Sequence, residues 1–231
     1  METMMDILTE FEFMKPEVKL ISVTPDAEKH MAYCARVSNP ANQFNTETSE
    51  KLIKYLIKHQ HWSPLEMVSA CIEIETTRDI ARQILRHRSF SFQEFSQRYA
   101  DIRDLDSKMV VRKARLQDPK NRQNSVMTDD VSLHMAWEVH QRNVWNEAMK
   151  SYAWAIENGI AKEQARAILP EGNTPSRLYM QGSIRSWIHS IILTTHFLDL
   201  PSMAHISFVS ISYFNSRPLI TAVSVQNLNI R

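Results

Sequence analysis

The sequence predicts an α+β fold that forms a single domain. Stretches in which β-branched residues alternate with polar ones are typical of strands, and Val18–Val23 and Val68–Thr76 have this pattern. Other stretches repeat apolar residues at helical spacing, above all a long one that ends near Glu157. With 231 residues, of which 43% are hydrophobic, the chain can bury a core of its own. We therefore expect one domain over residues 1–231.

The N-terminal part predicts a strand followed by two helices. After the strand over Val18–Val23, Thr24 is expected to cap a helix that spans Ala27–Val37. A loop follows, and apolar side chains at helical spacing then predict a second helix that stops near His59. Either of two hydroxyl residues can cap it, Thr48 or Ser49.

The centre of the chain predicts a strand that leads directly into a basic helix. Val68–Thr76 is the strand, Thr77 can cap the helix, and Asp79 suits the positive end of the helix dipole. Three arginines at four-residue spacing share one face, namely Arg78, Arg82 and Arg86. The last turn is expected to project an amide, a guanidinium and an imidazole together, from Gln83, Arg86 and His87.

The segment from Ser89 to Tyr99 mixes aromatic rings, hydroxyls and amides, and its rings break the helical spacing. In an extended chain three polar side chains would share one side, those of Glu94, Ser96 and Arg98. The planar guanidinium group of arginine can donate two hydrogen bonds to a phosphate, and aromatic rings can stack on a base. This set of residues is therefore typical of a nucleotide-binding site. The simpler interpretation, a solvated face of salt-bridged arginines, stays open at this point.

The following part predicts a surface segment and the longest helix. The segment has a possible short strand over Lys108–Arg112 and a turn over Asp118–Asn121. The helix begins at Asp129 or Asp130 and ends near Gly159. Its apolar stripe is expected to lie in the core or in a subunit interface rather than in a binding face.

The last predicted elements are a short helix over Ala161–Leu169, a strand over Pro175–Gln181 and a further helix. Ser183 can cap that final helix. Its Arg185 and His189 are four residues apart and therefore lie on one face.

The bulk properties exclude several classes of protein. The net charge is only +1, so the basic cluster is a local feature and the chain as a whole is not a polyanion-binding protein. Only three glycines are present, too few for a Gly-rich dinucleotide-binding turn or phosphate-binding loop. Cys34 and Cys71 have no partner at metal or redox spacing, so we expect two buried thiols and no disulfide. His59 and His61 lack a third ligand, and no metal site is predicted.

The expected location is the cytoplasm, or the host cytoplasm if the protein is viral. The first residues are acidic and lack the early basic segment of a signal peptide. No apolar run has the length that a membrane span needs, so no membrane partner is expected.

Five residues at fixed spacing in the central segment carry a resemblance to a known family. Arg86, His87 and Arg88 are followed by seven residues and Ser96, and Arg98 comes two places later. This pattern resembles the signature of the flavin-dependent thymidylate synthases. The resemblance runs from about Val18 to about Leu193 and includes four further segments: ARVSNP at 35–40, KHQHWSPLE at 58–66, ARAILP at 165–170 and GSIRSWIH at 182–189.

The resemblance implies a fold, a reaction and an assembly. It implies an α+β domain whose mixed or antiparallel sheet is packed by helices, in a homotetramer with active sites shared among subunits. It implies reductive methylation of deoxyuridine monophosphate (dUMP) to thymidylate (dTMP). The implied cofactor is FAD, with NADPH as reductant and methylenetetrahydrofolate as carbon donor. In this family the flavin delivers the electrons and no cysteine acts as nucleophile.

The resemblance also assigns residues to two ligands. Around the deoxynucleotide it places Gln83, Arg86, Glu94, Ser96, Gln97, Arg98 and Arg166. Around the flavin it places Ser63, Arg86, His87, Arg88, Glu94, Ser183, Ile184, Arg185 and His189. Arg86 is the expected catalytic residue among them.

One position departs from the family pattern. The family has an arginine nine residues after the one matched by Arg185, where it helps to ionise the pyrimidine, and this chain has Thr194 there. After Leu193 only three residues are charged, namely Asp199, Arg217 and Arg231. A shifted reading frame or strong divergence of the tail would explain this composition, and so would an ordinary apolar segment that packs at a subunit interface. We expect weak methylation unless Arg217 or another subunit supplies the charge.

The residues also allow a function from another class. A single-stranded nucleic-acid binding module could use Arg86, Arg88 and Arg98 for phosphates and the rings of the Ser89–Tyr99 segment for stacking. The net charge near zero disfavours this alternative, and we expect no nucleic-acid partner.

Overall fold

The computed structural model describes residues 17–105 and 109–195, with side chains up to Ser190. Its contacts group the chain into two compact units. The first unit contains Glu75–Ile84 and Glu94–Arg177, and the second contains Glu17–Ile74, Leu85–Gln93 and the described residues from Leu178 onward. None of the described helices is long and apolar enough to cross a membrane. The expectation of a single domain stays a prediction.

The described residues form a four-stranded sheet and a two-stranded one. Strand β1 spans Glu17–Val23, β2 Ser69–Thr77, β3 Ser91–Glu94 and β6 Pro175–Ser183, and their order in the larger sheet is β1-β2-β6-β3. The smaller sheet pairs β4, Arg115–Gln117, with β5, Ser125–Met127, in antiparallel register. Strands β2 and β6 each have residues in both units.

The helices follow the predicted order with different ends. Helix α1 spans Ala27–Ala35, α2 Ser49–Lys58, α3 Arg78–Ile84, α4 Val131–Glu157, α5 Lys162–Ala165 and α6 Ile184–Thr195. Short 3₁₀ helices cover Pro40–Asn42, Ser63–Met67, Ile102–Asp104 and Arg166–Ile168. The short helix expected over Ala161–Leu169 is therefore α5 followed by a 3₁₀ turn.

The predicted cap of the first helix is wrong. The Thr24 hydroxyl donates to the Ser69 carbonyl and accepts from the Ser69 N–H, so it joins β1 to β2 instead. Helix α1 begins after Asp26, which has a left-handed backbone with φ of 47° and makes no side-chain cap. The helix ends two residues earlier than expected, with Arg36 as its C-cap.

Strand β2 shows the alternation that its sequence predicts. Ala70, Ile72 and Ile74 are buried, whereas Cys71 and Glu73 between them are half-buried. The half-buried state of Cys71 and of Cys34 differs from the expectation of two buried thiols, and both are free cysteines. An alternating strand keeps one side chain in two away from the core, and Cys71 occupies such a position.

The surface segment of the first unit contains a half-buried arginine, Arg112, that joins several elements. The possible strand over Lys108–Arg112 begins outside the described residues, and residues 109–112 form no strand. Arg112 is instead held by hydrogen bonds from both its backbone and its side chain. Its guanidinium donates to Asp79, at 2.7 and 2.8 Å, and to the Gly172 carbonyl at 3.1 Å. Its backbone N–H donates to the amide oxygen of Gln141 at 2.9 Å. The turn at Asp118 is confirmed, since its carboxylate accepts from the N–H groups of Lys120 and Asn121.

Helix α4 starts and ends as its sequence predicts. Asp130 accepts from the Leu133 N–H at 2.9 Å, and Gly159 with φ of 77° follows the C-cap Asn158. Only the C-terminal half of the expected apolar stripe is buried. There Tyr152 and Ala155 join a core of the first unit whose other buried members are Ile102, Leu105, Ala165 and Leu169.

A close contact in the second unit fixes the end of β6. A Cβ added at Gly182 would lie 2.5 Å from a ring carbon of Phe90, which is shorter than any real contact of this kind. The Phe90 ring also packs edge-on against Trp187, with ring centroids 4.7 Å apart, so it has little room to withdraw. Gly182 is therefore required by packing, and its backbone has no left-handed φ.

We expect Gly182→Ala to lower the free energy of unfolding by about 1–3 kcal/mol, because the new methyl group must displace a packed ring. Gly172→Ala is the matched control, since an added Cβ there meets nothing within 4 Å. Urea denaturation of both variants measures the difference. Equal stability of the two variants would show that Phe90 moves freely.

Candidate functional site

The first unit contains a cavity of about 300 Å³ rich in arginine. Helix α3 supplies Arg78 and Arg82, one turn apart, and the 3₁₀ turn after α5 supplies Arg166. The remaining polar lining consists of Gln97, Glu163, Glu171 and Thr174. Guanidinium groups are suited to an anionic ligand, and three of them line this cavity.

Two of the three arginines, Arg78 and Arg82, form ion pairs, whereas Arg166 has donors to spare. Arg82 pairs with Glu171 at 2.5 Å, and both side chains are more than half exposed. Arg166 uses only its Nε, which donates to the Glu163 carbonyl at 3.2 Å. Its two terminal nitrogens have no hydrogen-bond partner within the described part of the chain. They are therefore free to donate as a fork to phosphate.

A buried amide in the same cavity lacks an acceptor. Gln97 is only 4% exposed, and its side-chain nitrogen has no hydrogen-bond partner among the described residues. An unmade buried hydrogen bond costs about 1–3 kcal/mol, and such groups call for an explanation. A ligand carbonyl in this cavity would supply the missing acceptor.

Glu94 is held in place by two neighbours of the first unit. Its carboxylate accepts from Arg78 at 3.0 Å and from the Ser176 hydroxyl at 2.7 Å. The side chains of Arg78 and Glu94 are 14% and 18% exposed, so this ion pair is shielded from water. Arg78 lies on the predicted basic face, and the fold brings Glu94, sixteen residues away, against it.

The expected clustering at the end of the central helix is wrong. Helix α3 ends at Ile84, Leu85 and Arg86 form a turn, and His87 is not helical. Gln83, Arg86 and His87 therefore do not share a last turn. The Phe90 N–H donates to the His87 carbonyl at 3.3 Å, and this turn redirects the chain into β3. The pairing of β3 with β6 requires that reversal, which no helical pattern can show.

The expected extended arrangement of Glu94, Ser96 and Arg98 is also wrong. Strand β3 ends at Glu94, and the Ser96 carbonyl then accepts from the N–H groups of Tyr99 and Ala100 in a turn. The turn buries Gln97 and turns Arg98 to the surface, where it lies 3.7 Å from Glu163. Ser96 is half-buried.

The arginines on either side of His87 are exposed in the second unit. Neither Arg86 nor Arg88 makes a hydrogen bond or ion pair with the residues that the structure describes. His87 is half-buried against the edge of Phe90, with centroids 6.3 Å apart. Burial lowers the pKa of His87 below its usual value, so its ring is neutral at neutral pH.

A second polar cluster forms where α6 begins. Ser183 accepts from the Ser186 N–H at 3.3 Å, so it caps α6 as predicted. Ser183 donates to Glu66 at 2.8 Å, and Arg185 donates to the other oxygen of Glu66 at 2.6 Å. The hydrogen bond from Arg185, and then that from Ser183, hold the pKa of Glu66 below its usual value. Glu66 was not among the predicted site residues, because nothing in its local pattern points to α6.

His189 lies beside this cluster. Its ring meets the edge of Trp62 with centroids 4.7 Å apart. Burial, and then the positive charge of Arg185, lower the pKa of His189, while Glu66 opposes the shift.

The two remaining flavin assignments differ in exposure. Ser63 is exposed at the start of its 3₁₀ turn. Ile184 is 2% exposed, and its N–H donates to the Val68 carbonyl at 2.9 Å.

The two assigned sets separate between the units. The residues expected around the deoxynucleotide lie in the first unit except for Arg86, and those expected around the flavin lie in the second except for Glu94.

The described residues contain no group of three or more histidine, cysteine, aspartate and glutamate side chains that could hold a metal ion. Gln83 is exposed on α3 and is not part of the arginine cavity.

Comparison with known sequences gives a family for most of the chain. Residues 19–196 match the family described as "Thymidylate synthase complementing protein". A "Probable flavin-dependent thymidylate synthase" of Paramecium bursaria Chlorella virus 1 is 49% identical over 184 residues, which make up 77% of this chain and 83% of the viral protein. A "Flavin-dependent thymidylate synthase" of Synechocystis is 50% identical over 175 residues, 76% and 78% of the two chains.

Comparison with solved structures gives the same fold. The UMP/dUMP methylase PolB from Streptomyces cacaoi, solved with 5-Br dUMP, superposes with a TM-score of 0.73. The match covers 91% of this chain and 95% of that one at 22% sequence identity, so it is a likeness of fold. The predicted α+β class is confirmed.

The cluster around Glu66 makes a prediction about pH. We expect Glu66→Gln to lower the pKa of His189 further, because the variant removes the negative charge that favours the protonated ring. An NMR titration of the ring C–H signals, assigned with His189→Gln, measures this shift. Glu47→Gln is the matched control, an exposed carboxylate of the same unit that makes no contact with His189. An unchanged or higher pKa in Glu66→Gln would contradict the prediction.

Proposed function

The chain belongs to the family of flavin-dependent thymidylate synthases, and from this premise we propose that it converts dUMP to dTMP. The proposed cofactor is FAD, with NADPH as reductant and methylenetetrahydrofolate as carbon donor. The observation that carries the proposal is the arginine cavity of the first unit, with its unpaired amide of Gln97. A nucleoside monophosphate is an anion with ring carbonyls and therefore matches both features.

In the proposed complex the phosphate of dUMP binds at Arg166, whose terminal nitrogens are free to form a bidentate contact. Arg82 remains with Glu171 and contributes positive charge. The amide nitrogen of Gln97 donates to a carbonyl of the pyrimidine. Specificity then follows because a ligand without that carbonyl leaves the buried donor unpaired.

Glu94 has the role of an oriented acceptor in this proposal. Arg78 and Ser176 occupy one of its oxygens, Oε1, and leave the other free to accept from a ligand N–H or O–H group. Because both neighbours belong to packed elements, the carboxylate is fixed before the ligand arrives. Such positioning reduces the entropy cost of binding.

The chemistry of the donors in the second unit fits a flavin dinucleotide. Arg86 and Arg88 offer exposed guanidinium groups without protein partners among the described residues, which suits the cofactor phosphates. Ser183, Arg185 and His189 would contact the ring system or its linker. Bound flavin would supply the electron transfer from NADPH that the methylation requires.

The histidines of this set act as neutral groups. Burial lowers the pKa of His87 and of His189, so at neutral pH each ring has one N–H donor and one acceptor. Neutral rings hold a flavin edge in place without adding charge to it. Protonation below their lowered pKa values would remove the acceptor.

The thiols support a mechanism without a cysteine nucleophile. Burial raises the pKa of the Cys71 thiol, and a smaller thiolate fraction makes it a weaker nucleophile at neutral pH. Neither cysteine lines the arginine cavity.

The assembly and the location are also proposals. Helix α4 exposes large apolar side chains, among them Val139, Val144 and Trp154, which supports a homotetramer with shared active sites. We propose a cytoplasmic location.

The expectation about Thr194 concerns the last turn of α6, where the side chains lie outside the described residues, as do residues 196–231. The expectation that methylation is weak, because Thr194 replaces the arginine of the family pattern, therefore stays a prediction.

The direct test of the function is to purify the protein, reconstitute it with FAD and assay it with all three substrates. We expect a yellow protein with a flavin absorption band and formation of dTMP that depends on NADPH. Omission of methylenetetrahydrofolate is the control that separates methylation from NADPH oxidation. A colourless protein that binds oligonucleotides in a salt-dependent manner would instead favour the nucleic-acid alternative.

Two arginine variants separate the proposed sites. We expect Arg166→Ala to weaken dUMP binding by about 10–100-fold, as for loss of a charge-assisted contact of about 1.5–3 kcal/mol, with flavin content unchanged. Arg88→Ala should do the reverse and lose flavin. Calorimetric titration with dUMP and the flavin absorbance per protein measure both. Loss of flavin in Arg166→Ala, or full flavin retention in Arg88→Ala, would contradict the assignments.

A further inference from the structure

The second unit contains a larger cavity that the proposed function does not use. Its volume is about 530 Å³, which lies in the usual range for small-molecule sites. Its wall is formed by the C-terminal end of α1, the loop that follows it and the first turns of α2. None of the residues assigned to dUMP or flavin lines it.

Arg36 brings a buried positive charge to this cavity. The residue is 7% exposed, and its guanidinium donates to the Asn45 carbonyl and, at 2.8 Å, to the Thr48 hydroxyl. Both acceptors are neutral. No carboxylate forms an ion pair with Arg36 within residues 17–105 and 109–195. A buried charge without a counter-charge is costly, so its position beside a cavity indicates an anionic ligand.

The helix that ends at Arg36 compensates only part of this charge. As C-cap of α1 the guanidinium lies near the negative end of the helix dipole. That end is equivalent to about half an elementary charge, and α1 has only nine residues. The balance of the charge is left for a ligand or for solvent.

Lys51 supplies a second cation to the same cavity. It lies in the first turn of α2, is exposed, and has no ion-pair partner among the described residues. The neighbouring Glu50 pairs with Lys54 at 2.6 Å instead. Helix α2 also starts without a side-chain cap, because Thr48 uses its hydroxyl for Arg36. The lining therefore contains two cations and no carboxylate.

The lining also has an apolar part. Leu52 and Tyr55 lie one and two turns into α2, and the Tyr55 ring is 51% exposed. The ring of His59 packs against it with centroids 4.2 Å apart, which holds the tyrosine in place. An aromatic wall next to a cationic end suits a molecule with an anionic head and a flat or apolar body.

We propose that this cavity binds a small molecule carrying a phosphate monoester. The phosphate lies between Arg36 and Lys51, and the body of the molecule packs on Leu52 and Tyr55. Arginine and lysine together favour a phosphate over a carboxylate, because two cations balance the two negative charges of a phosphate monoester. The guanidinium group can form two parallel hydrogen bonds to it, and the ammonium group adds a compact charge. The site shares no lining residue with the arginine cavity and does not depend on the proposed reaction.

The test uses the full chain reconstituted with FAD and three probes: phenyl phosphate, inorganic phosphate and benzoate. We expect calorimetric titration to show phenyl phosphate binding that Lys51→Ala weakens by about tenfold, the order expected for one charge-assisted contact. Lys58→Ala is the matched control, an exposed lysine of the same helix that does not line the cavity. Inorganic phosphate should bind more weakly, because it lacks the ring.

Further variants make every outcome decisive. Arg36→Lys keeps the charge but loses the paired guanidinium donors, so we expect weaker binding of phenyl phosphate with an unchanged circular dichroism spectrum. If this variant is unfolded, the comparison of Lys51→Ala with Lys58→Ala decides alone. Arg166→Ala should leave the binding component intact. Equal affinity in Lys51→Ala and Lys58→Ala, loss of binding in Arg166→Ala alone, or tighter binding of benzoate than of phenyl phosphate would each overturn the proposal.

Discussion

The first unit depends on one guanidinium group, that of Arg112. It donates to Asp79 in the first turn of α3, to the Thr77 hydroxyl at the end of β2 and to the Gly172 carbonyl before β6. Its own backbone is bonded to Gln141 on α4, which is 5% exposed. Five donors in one rigid plane allow arginine to join elements that are far apart in the sequence. The start of α3 is thereby fixed, and with it Arg78 and Arg82, two of the arginines that line the cavity.

The arginines of this chain differ in how their charge is balanced, and that difference indicates function better than their number does. Arg78 pairs with a shielded carboxylate, so its charge serves to orient Glu94. Arg82 and Arg98 meet exposed carboxylates, in pairs that contribute little stability. Among the residues that the structure describes, Arg166, Arg86 and Arg88 keep donors free, and the buried Arg36 bonds to neutral groups only. Free donors and buried unpaired charge are the features that a ligand can satisfy.

Local patterns predicted the elements whose ends are set by local chemistry. Asp130 and Gly159 bound α4, Ser183 caps α6, and the alternating residues of β2 form a strand, because caps and periodicity act within a few residues. The predictions failed where a distant partner competes for the same atoms. Thr24 bonds to Ser69 across 45 residues instead of capping α1, and Arg112 is an anchor rather than part of a strand.

The sequence by itself determined the family, the α+β class and the residue types of the site, since a motif of arginine, histidine and serine at fixed spacing is a property of the chain alone. Only the tertiary structure decided which side chains act together. The buried amide nitrogen of Gln97 has no acceptor in the described part of the chain, Glu94 is oriented by Arg78 and Ser176, and Glu66 meets Arg185 across 119 residues. Such contacts depend on how strands and helices pack, and hydrogen bonds between distant residues leave no periodic signal in the sequence. Burial and charge balance, which give these groups their chemistry, therefore exist only in the folded chain.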